Sequence, residues 1–259
     1  MEKQQLEDFR RWFAEYADGF YKDDVFVNAN LKLKEEHTRR VCDEMNYLTE
    51  SLGLSASQRV LAETIALFHD LGRYEQFTKY RTFSDAGSVP HGPLAVEVLD
   101  RGNVLVDIEP RRRTVIEQAI KLHAARELAD DLDEDIGLFA RLIRDADKLD
   151  IYYLITEVDT KPPDDPQASV MINWFPRDES YSPRIIEAIR ARRHIDYATL
   201  KTHIDMKLMQ LAWVYDLNFP ATFAKIKRNQ YLEKIIAMLP ADKDIAEAAR
   251  QVLAYRDEH

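Results

Sequence analysis

The chain has a single cysteine, Cys42, among 259 residues. One thiol excludes an internal disulfide and any cysteine-rich zinc site. Glycine is scarce at seven residues, which favours helices over sheets. No apolar run approaches the ~20 residues needed to span a bilayer. The first residues, MEKQQLEDF, lack the apolar centre of a signal peptide. The expectation is a cytoplasmic protein that does not engage a membrane. Basic residues are in the minority, and the net charge is −10. That charge argues against a nucleic-acid binder, because duplex binding leans on basic surface. There is no Gly-rich phosphate loop, no nucleophilic Ser or Cys motif, no internal repeat and no low-complexity segment.

What is present is helical periodicity, and the predicted fold class is all-α. An amphipathic lead helix is predicted over 3–19, carrying Phe9, Trp12, Phe13 and Tyr16. A long helix over 31–53 ends at Gly53, and Ser55 or Ser57 can cap the next one. Pro110 is placed to start a helix. The acidic run Asp130 to Asp135 suits the positive end of the helix that follows. Three prolines in 160–169 interrupt any helix and mark a boundary. Beyond it, 183–194 reads as a basic helix face, solvated or salt-bridged. The segments 200–215, 221–239 and 244–255 read as amphipathic helices, and MINWF (171–175) as a short hairpin arm. The chain is expected to form one α-helical unit over 1–259, with a core over 30–160 and an extension over 170–259 packed on it.

Six polar residues stand where these helices should bury apolar side chains. His37 lies on the line Leu33, Val41, Met45, Leu48. His69 and Asp70 end the run Ile65-Ala66-Leu67-Phe68. His123 follows Ile116, Ala119 and Ile120 on one face, and Asp147 falls between Ile143 and Ile151. His91 follows the loop 78–90 and opens the apolar run Leu94 to Leu99. Each has a plainer reading alone: a core histidine bonded to a carbonyl, or half of a buried ion pair. Together they point to metal ions, because buried imidazoles and carboxylates are costly unless something satisfies them.

The order His37, His69-Asp70, Asp147 resembles the HD superfamily of metal-dependent phosphohydrolases. ALFHDLGR (66–73) is similar to its apolar-HD-apolar-Gly-basic signature, and RDADKLDIYYL (144–154) to its closing aspartate motif. The added His91 and His123 resemble the subset with two metals in one site. The chain departs from some relatives in having Arg73 where Lys is common. It also lacks a Gly-Tyr-Pro motif like that of cyclic-di-GMP phosphodiesterases. The resemblance implies a phosphodiesterase-like helical bundle with additional C-terminal helices. It implies that Asp70 bridges two ions, that His37, His69 and Asp147 hold the first, and that His91 and His123 hold the second. His69, Asp70 and Arg73 would then carry catalysis.

Such mixed ligands suit Mn, Fe, Co, Ni or Zn better than Mg, with one or two divalent ions expected. The implied activity is hydrolysis of a small phosphorylated substrate, expected to be a nucleotide. A di-iron oxygenase and a non-catalytic nucleotide-binding module are the alternatives. Arg73 shares a face with His69 if the helix continues through Gly72, and guanidinium suits phosphate. A structural salt bridge is the other reading of Arg73; Lys79, Arg81 and Lys148 are further candidates for substrate contact, with a solvated surface role as their plainer reading. Asp150, three residues after Asp147, is a candidate partner to a ligand or a surface charge.

Overall fold

The computed structural model describes residues 1–158 and 179–259. Among these residues every regular element is helical and there is no strand. The stretch 160–169 and the segment 171–175 lie outside the described residues. Contacts divide the chain into two compact units. One comprises Met1–Asp150, and the other takes the described residues from Ile151 onward. The division falls inside a helix, ahead of the proline-bearing stretch.

The first unit holds α1 (Lys3–Asp18), α2 (Val25–Ser51), α3 (Ala56–Phe68), α4 (Gly72–Tyr80), α5 (His91–Arg101), α6 (Pro110–Leu122) and most of α7 (Glu134–Tyr153). α2 begins six residues before its predicted start, because Asp24 caps it by accepting from the Val27 N–H at 2.9 Å. Ser55 caps α3 in a reciprocal capping box with Gln58. Helix α3 is apolar nearly all round and packs against α1, α2 and α6. α5 is flanked by α4 and α6. The lead helix buttresses this core through edge-on contacts of Phe9 and Trp12 with Phe68, and of Phe13 with Tyr74.

The helix capped by Ser55 runs to the His-Asp pair and ends there, so it does not continue past Gly72 to put Arg73 on the face of His69. α3 ends at Phe68, residues 69–71 turn, and α4 restarts at Gly72. Gly72 is needed for close approach. A Cβ there would collide with the His91 carbonyl oxygen and stand 2.8 Å from the Ala95 nitrogen. Gly92 does the same between α5 and α6, where a Cβ would meet the Ile120 carbonyl oxygen at 2.9 Å. Two glycines thus let the backbones bearing Asp70, His91 and His123 come together.

The second unit contains α8 (Pro183–Arg190), α9 (His203–Ala212), α10 (Pro220–Asn229), α11 (Tyr231–Ala237) and α12 (Lys243–Glu258). Buried Asp205 pins α8 to α9, accepting from the Ser182 N–H and hydroxyl at 2.7 and 2.8 Å. The helix predicted over 221–239 is two helices, because Gln230 adopts the left-handed region at φ 54°. The basic face is internally paired to some extent: Arg190 bonds Asp244 and Glu247 at 2.8 and 2.7 Å.

Candidate metal centre

The six polar residues converge from five segments. His37 comes from the middle of α2, and His69 closes α3 with Asp70 in the following turn. His91 opens α5, His123 closes α6 and Asp147 lies on α7. The four imidazoles and Asp70 are at most 5% exposed, whereas the Asp147 side chain is 21% exposed.

Asp70 divides the cluster into two halves. Its Oδ2 lies 3.5 Å from His37 Nε2 and 3.6 Å from His69 Nε2. Its Oδ1 lies 3.4 Å from His91 Nε2 and 3.9 Å from His123 Nε2. Asp147 Oδ1 joins the first half, 3.1 Å from His37 Nε2 and 3.9 Å from His69 Nε2. Both triplets, His37-His69-Asp70 and Asp70-His91-His123, have ligand atoms close enough together to hold one ion each.

The outer nitrogens fix what the inner ones can do. His69 Nδ1 lies 2.7 Å from the Ala66 carbonyl, and His123 Nδ1 lies 2.6 Å from the Ile120 carbonyl. His91 Nδ1 faces Asp85 Oδ2 at 2.7 Å, and His37 Nδ1 faces Asp150 Oδ2 at 2.5 Å. Each Nδ1 meets an acceptor and so carries a proton, which leaves Nε2 as a lone pair wherever the ring is neutral. Yet Nε2 of His91 stands 2.9 Å from Nε2 of His123, and Nε2 of His37 stands 3.4 Å from Nε2 of His69. Facing lone pairs at these distances repel unless a metal ion or a proton is shared between them. The donor set fits divalent transition metals.

Protonation follows the same plan. Burial, with Arg73, pushes His91 down to about 4, and burial, with His69, pushes His123 down to about 4. Burial lowers His69 as well. At His37 burial and Lys34 oppose protonation, but hydrogen bonds to Asp147 and Asp150 outweigh them and raise its pKa. Burial works against ionised Asp70, but Lys34, His69 and Arg73 hold it well below the usual carboxylate range. Asp147 is lowered too, as His37 and His69 overcome its burial.

Three surrounding residues escaped the sequence reading. Buried Lys34 donates to Asp70 Oδ2 at 2.7 Å. The inward face of α2 passes through Lys34 and not through Leu33 as predicted, and the i, i+3 spacing to His37 was the available signal. Asp85 lies in a short 3-10 turn between α4 and α5, with no periodicity to announce it. Arg144 lies one turn before Asp147 on α7 and is buried. Asp150 is the hydrogen-bond partner of His37, and its other oxygen accepts from Arg40 Nε at 2.5 Å.

The expected substrate contacts are dispersed. Arg73 stands on α4, one residue inside its start. It reaches Asp70 Oδ1 at 3.3 Å, Gln76 at 2.7 Å and Asp85 at 3.0 Å. Lys148 is half-buried beside Asp147. Lys79 is exposed over the Tyr80 ring, and exposed Arg81 pairs with Asp24 at 2.7 Å. The structure does not bring Lys79 or Arg81 into the cluster.

Comparison with known proteins agrees with this geometry. Among curated proteins and among solved structures nothing matches the chain. The family model for the HD domain matches residues 35–152, a span that contains all six clustered residues. That match, with the ordered His and Asp cluster it encloses, identifies residues 35–152 of the chain as an HD domain.

Proposed function

We propose that the protein is a metal-dependent phosphohydrolase that cleaves a small phosphoester, a nucleotide or a related phosphate ester. The observation that carries the reading is the pair of facing imidazole couples sharing the two oxygens of Asp70. His37, His69 and Asp147 would hold one divalent ion, His91 and His123 the other, and Asp70 both. When bound, such ions supply Lewis acidity toward a phosphoryl oxygen and make a water more acidic.

The chain's own groups do the rest. Asp85 and Asp150 hold the His91 and His37 rings through Nδ1, which keeps Nε2 directed inward. Arg73 and Lys148 are the cations beside the cluster that can take phosphate oxygens, Arg73 with two donors at once. The net charge of −10 does not oppose an anionic substrate, because a bound ion supplies local positive charge.

The test is metal content of tag-free protein prepared without chelator, followed by a phosphoester panel. About two ions of Mn, Co, Ni or Zn per chain, with phosphate release that disappears in Asp70→Ala, supports the proposal. Two irons with oxygen-dependent turnover would replace it with the oxygenase reading. No bound metal after reconstitution would leave a nucleotide-binding module.

A further inference from the structure

Arg144 has no place in the ligand set, yet it is 3% exposed. A guanidinium stays charged at every relevant pH, so its burial demands acceptors. Its Nη1 finds them at the end of α6, donating to the carbonyls of Leu122 at 3.3 Å, His123 at 3.2 Å and Ala125 at 2.5 Å. The last carbonyls of a helix have no N–H partners of their own, and a cation is favoured at the negative end of the helix dipole.

His123 is the residue that closes α6. Its ring is tied to the same turn, since Nδ1 donates to the Ile120 carbonyl at 2.6 Å. The direction of His123 Nε2 therefore follows from where that last turn is held. On α7, Arg144, Asp147 and Asp150 stand three residues apart in succession and so share one face. The three grip the end of α6, the first half of the cluster and the outer nitrogen of His37.

We infer that Arg144 is a positioning residue for His123: it fixes the end of α6 and thereby sets occupancy of the half-site made by Asp70, His91 and His123. It acts through His123 and touches neither ion nor substrate. The inference rests on the reading of these residues as metal ligands.

The experiment is calorimetric titration of chelator-stripped full-length protein with Mn²⁺, with bound metal counted after dialysis. Wild type, His123→Ala and Arg144→Met are compared, and circular dichroism is used to verify folding. Arg144→Met is expected to keep the first ion within about threefold of the parental affinity and to weaken the second at least about tenfold. A general packing defect would weaken both ions together. Folded Arg144→Met that binds two ions with parental affinities overturns the inference. If Arg144→Met does not fold, Arg144→Lys decides, because it keeps the charge but replaces the planar fork with a single ammonium. A selectively weakened second ion supports the inference, and parental binding overturns it. Should His123→Ala keep both ions, the half-site reading fails and Arg144 has nothing to position. Should only His123→Ala lose an ion, the Arg144 inference alone falls.

Discussion

His91 and His123 meet Nε2 to Nε2 at 2.9 Å, each with Nδ1 already directed at an acceptor. Without a metal, that approach is tolerable only through a shared proton or a local shift. Metal removal should therefore cost stability, and the cost should depend on pH.

In the metal-free protein, His91 and His123 titrate at about 4 against an ordinary value of 6.5. Their neutral forms are stabilised by folding, so their contribution is whole above about 6.5 and is lost as pH falls toward 4. His69, also lowered, adds to the loss. His37 is raised, so its contribution is present below 6.5 and fades as pH rises through its folded value. The change at His37 lies above about 6.5, so it does not offset the loss between 6.5 and 4. Thermal melts in chelator should show Tm dropping between pH 6.5 and 4, with a smaller drop in His123→Phe. A flat profile would contradict the protonation pattern.

Asp70 should be required for metal and also for balance of charge. Asp70→Ala removes the oxygens shared by both half-sites, and bound metal should fall to near zero. It also leaves Lys34 buried without its carboxylate. The predicted cost to the metal-free fold is about 3 kcal/mol. Lys34→Met combined with Asp70→Ala should recover some of it. Urea unfolding of the four proteins in chelator measures the coupling, and strict additivity would exclude it.

Asp150 should tune the first ion. Asp147 at Nε2 and then Asp150 at Nδ1 raise His37, so metal competes with a proton for Nε2. Affinity should rise with pH, and binding should release protons, seen as buffer-dependent heats. Asp150→Asn should bind the first ion roughly 10–100-fold more weakly. Parental affinity in that variant would remove Asp150 from the site.

Gly92 should tolerate no side chain. Gly92→Ala forces a Cβ against the Ile120 carbonyl, 2.9 Å away in the present backbone. Helices α5 and α6 must separate, at a cost of about 1–3 kcal/mol. Because His91 and His123 ride on those helices, the second ion should be lost with it. Denaturant unfolding and metal counting read the two effects separately.

Much of this centre was legible because six polar groups on apolar faces break a strong pattern. His37, His123 and Asp147 each interrupt a helical stripe, and helices α1, α6 and α12 lie close to where periodicity and caps put them. Turns were less legible. The fresh start of a helix at Gly72 goes with its packing on His91, a contact between residues far apart in sequence. Asp85 sits in an irregular segment whose geometry is set by Arg73, Gln76 and His91. The division of α10 from α11 depends on one backbone angle at Gln230, a residue with no special preference for it. Lys34 was passed over because lysine on a helix is usually solvated, and only its carboxylate partner on another segment makes burial tolerable.

The clustered groups are drawn from five separate segments of the first unit, and no two segments alone complete the set. An ion that binds only the assembled cluster stabilises the whole unit by an amount that grows with the logarithm of its free concentration, about 2.7 kcal/mol at a hundredfold excess over Kd. For a domain of ordinary marginal stability, that is enough to change how long it survives proteolysis. On the proposed reading, free metal would then set how much of this protein persists folded, and withdrawing it would expose the first unit to proteolysis.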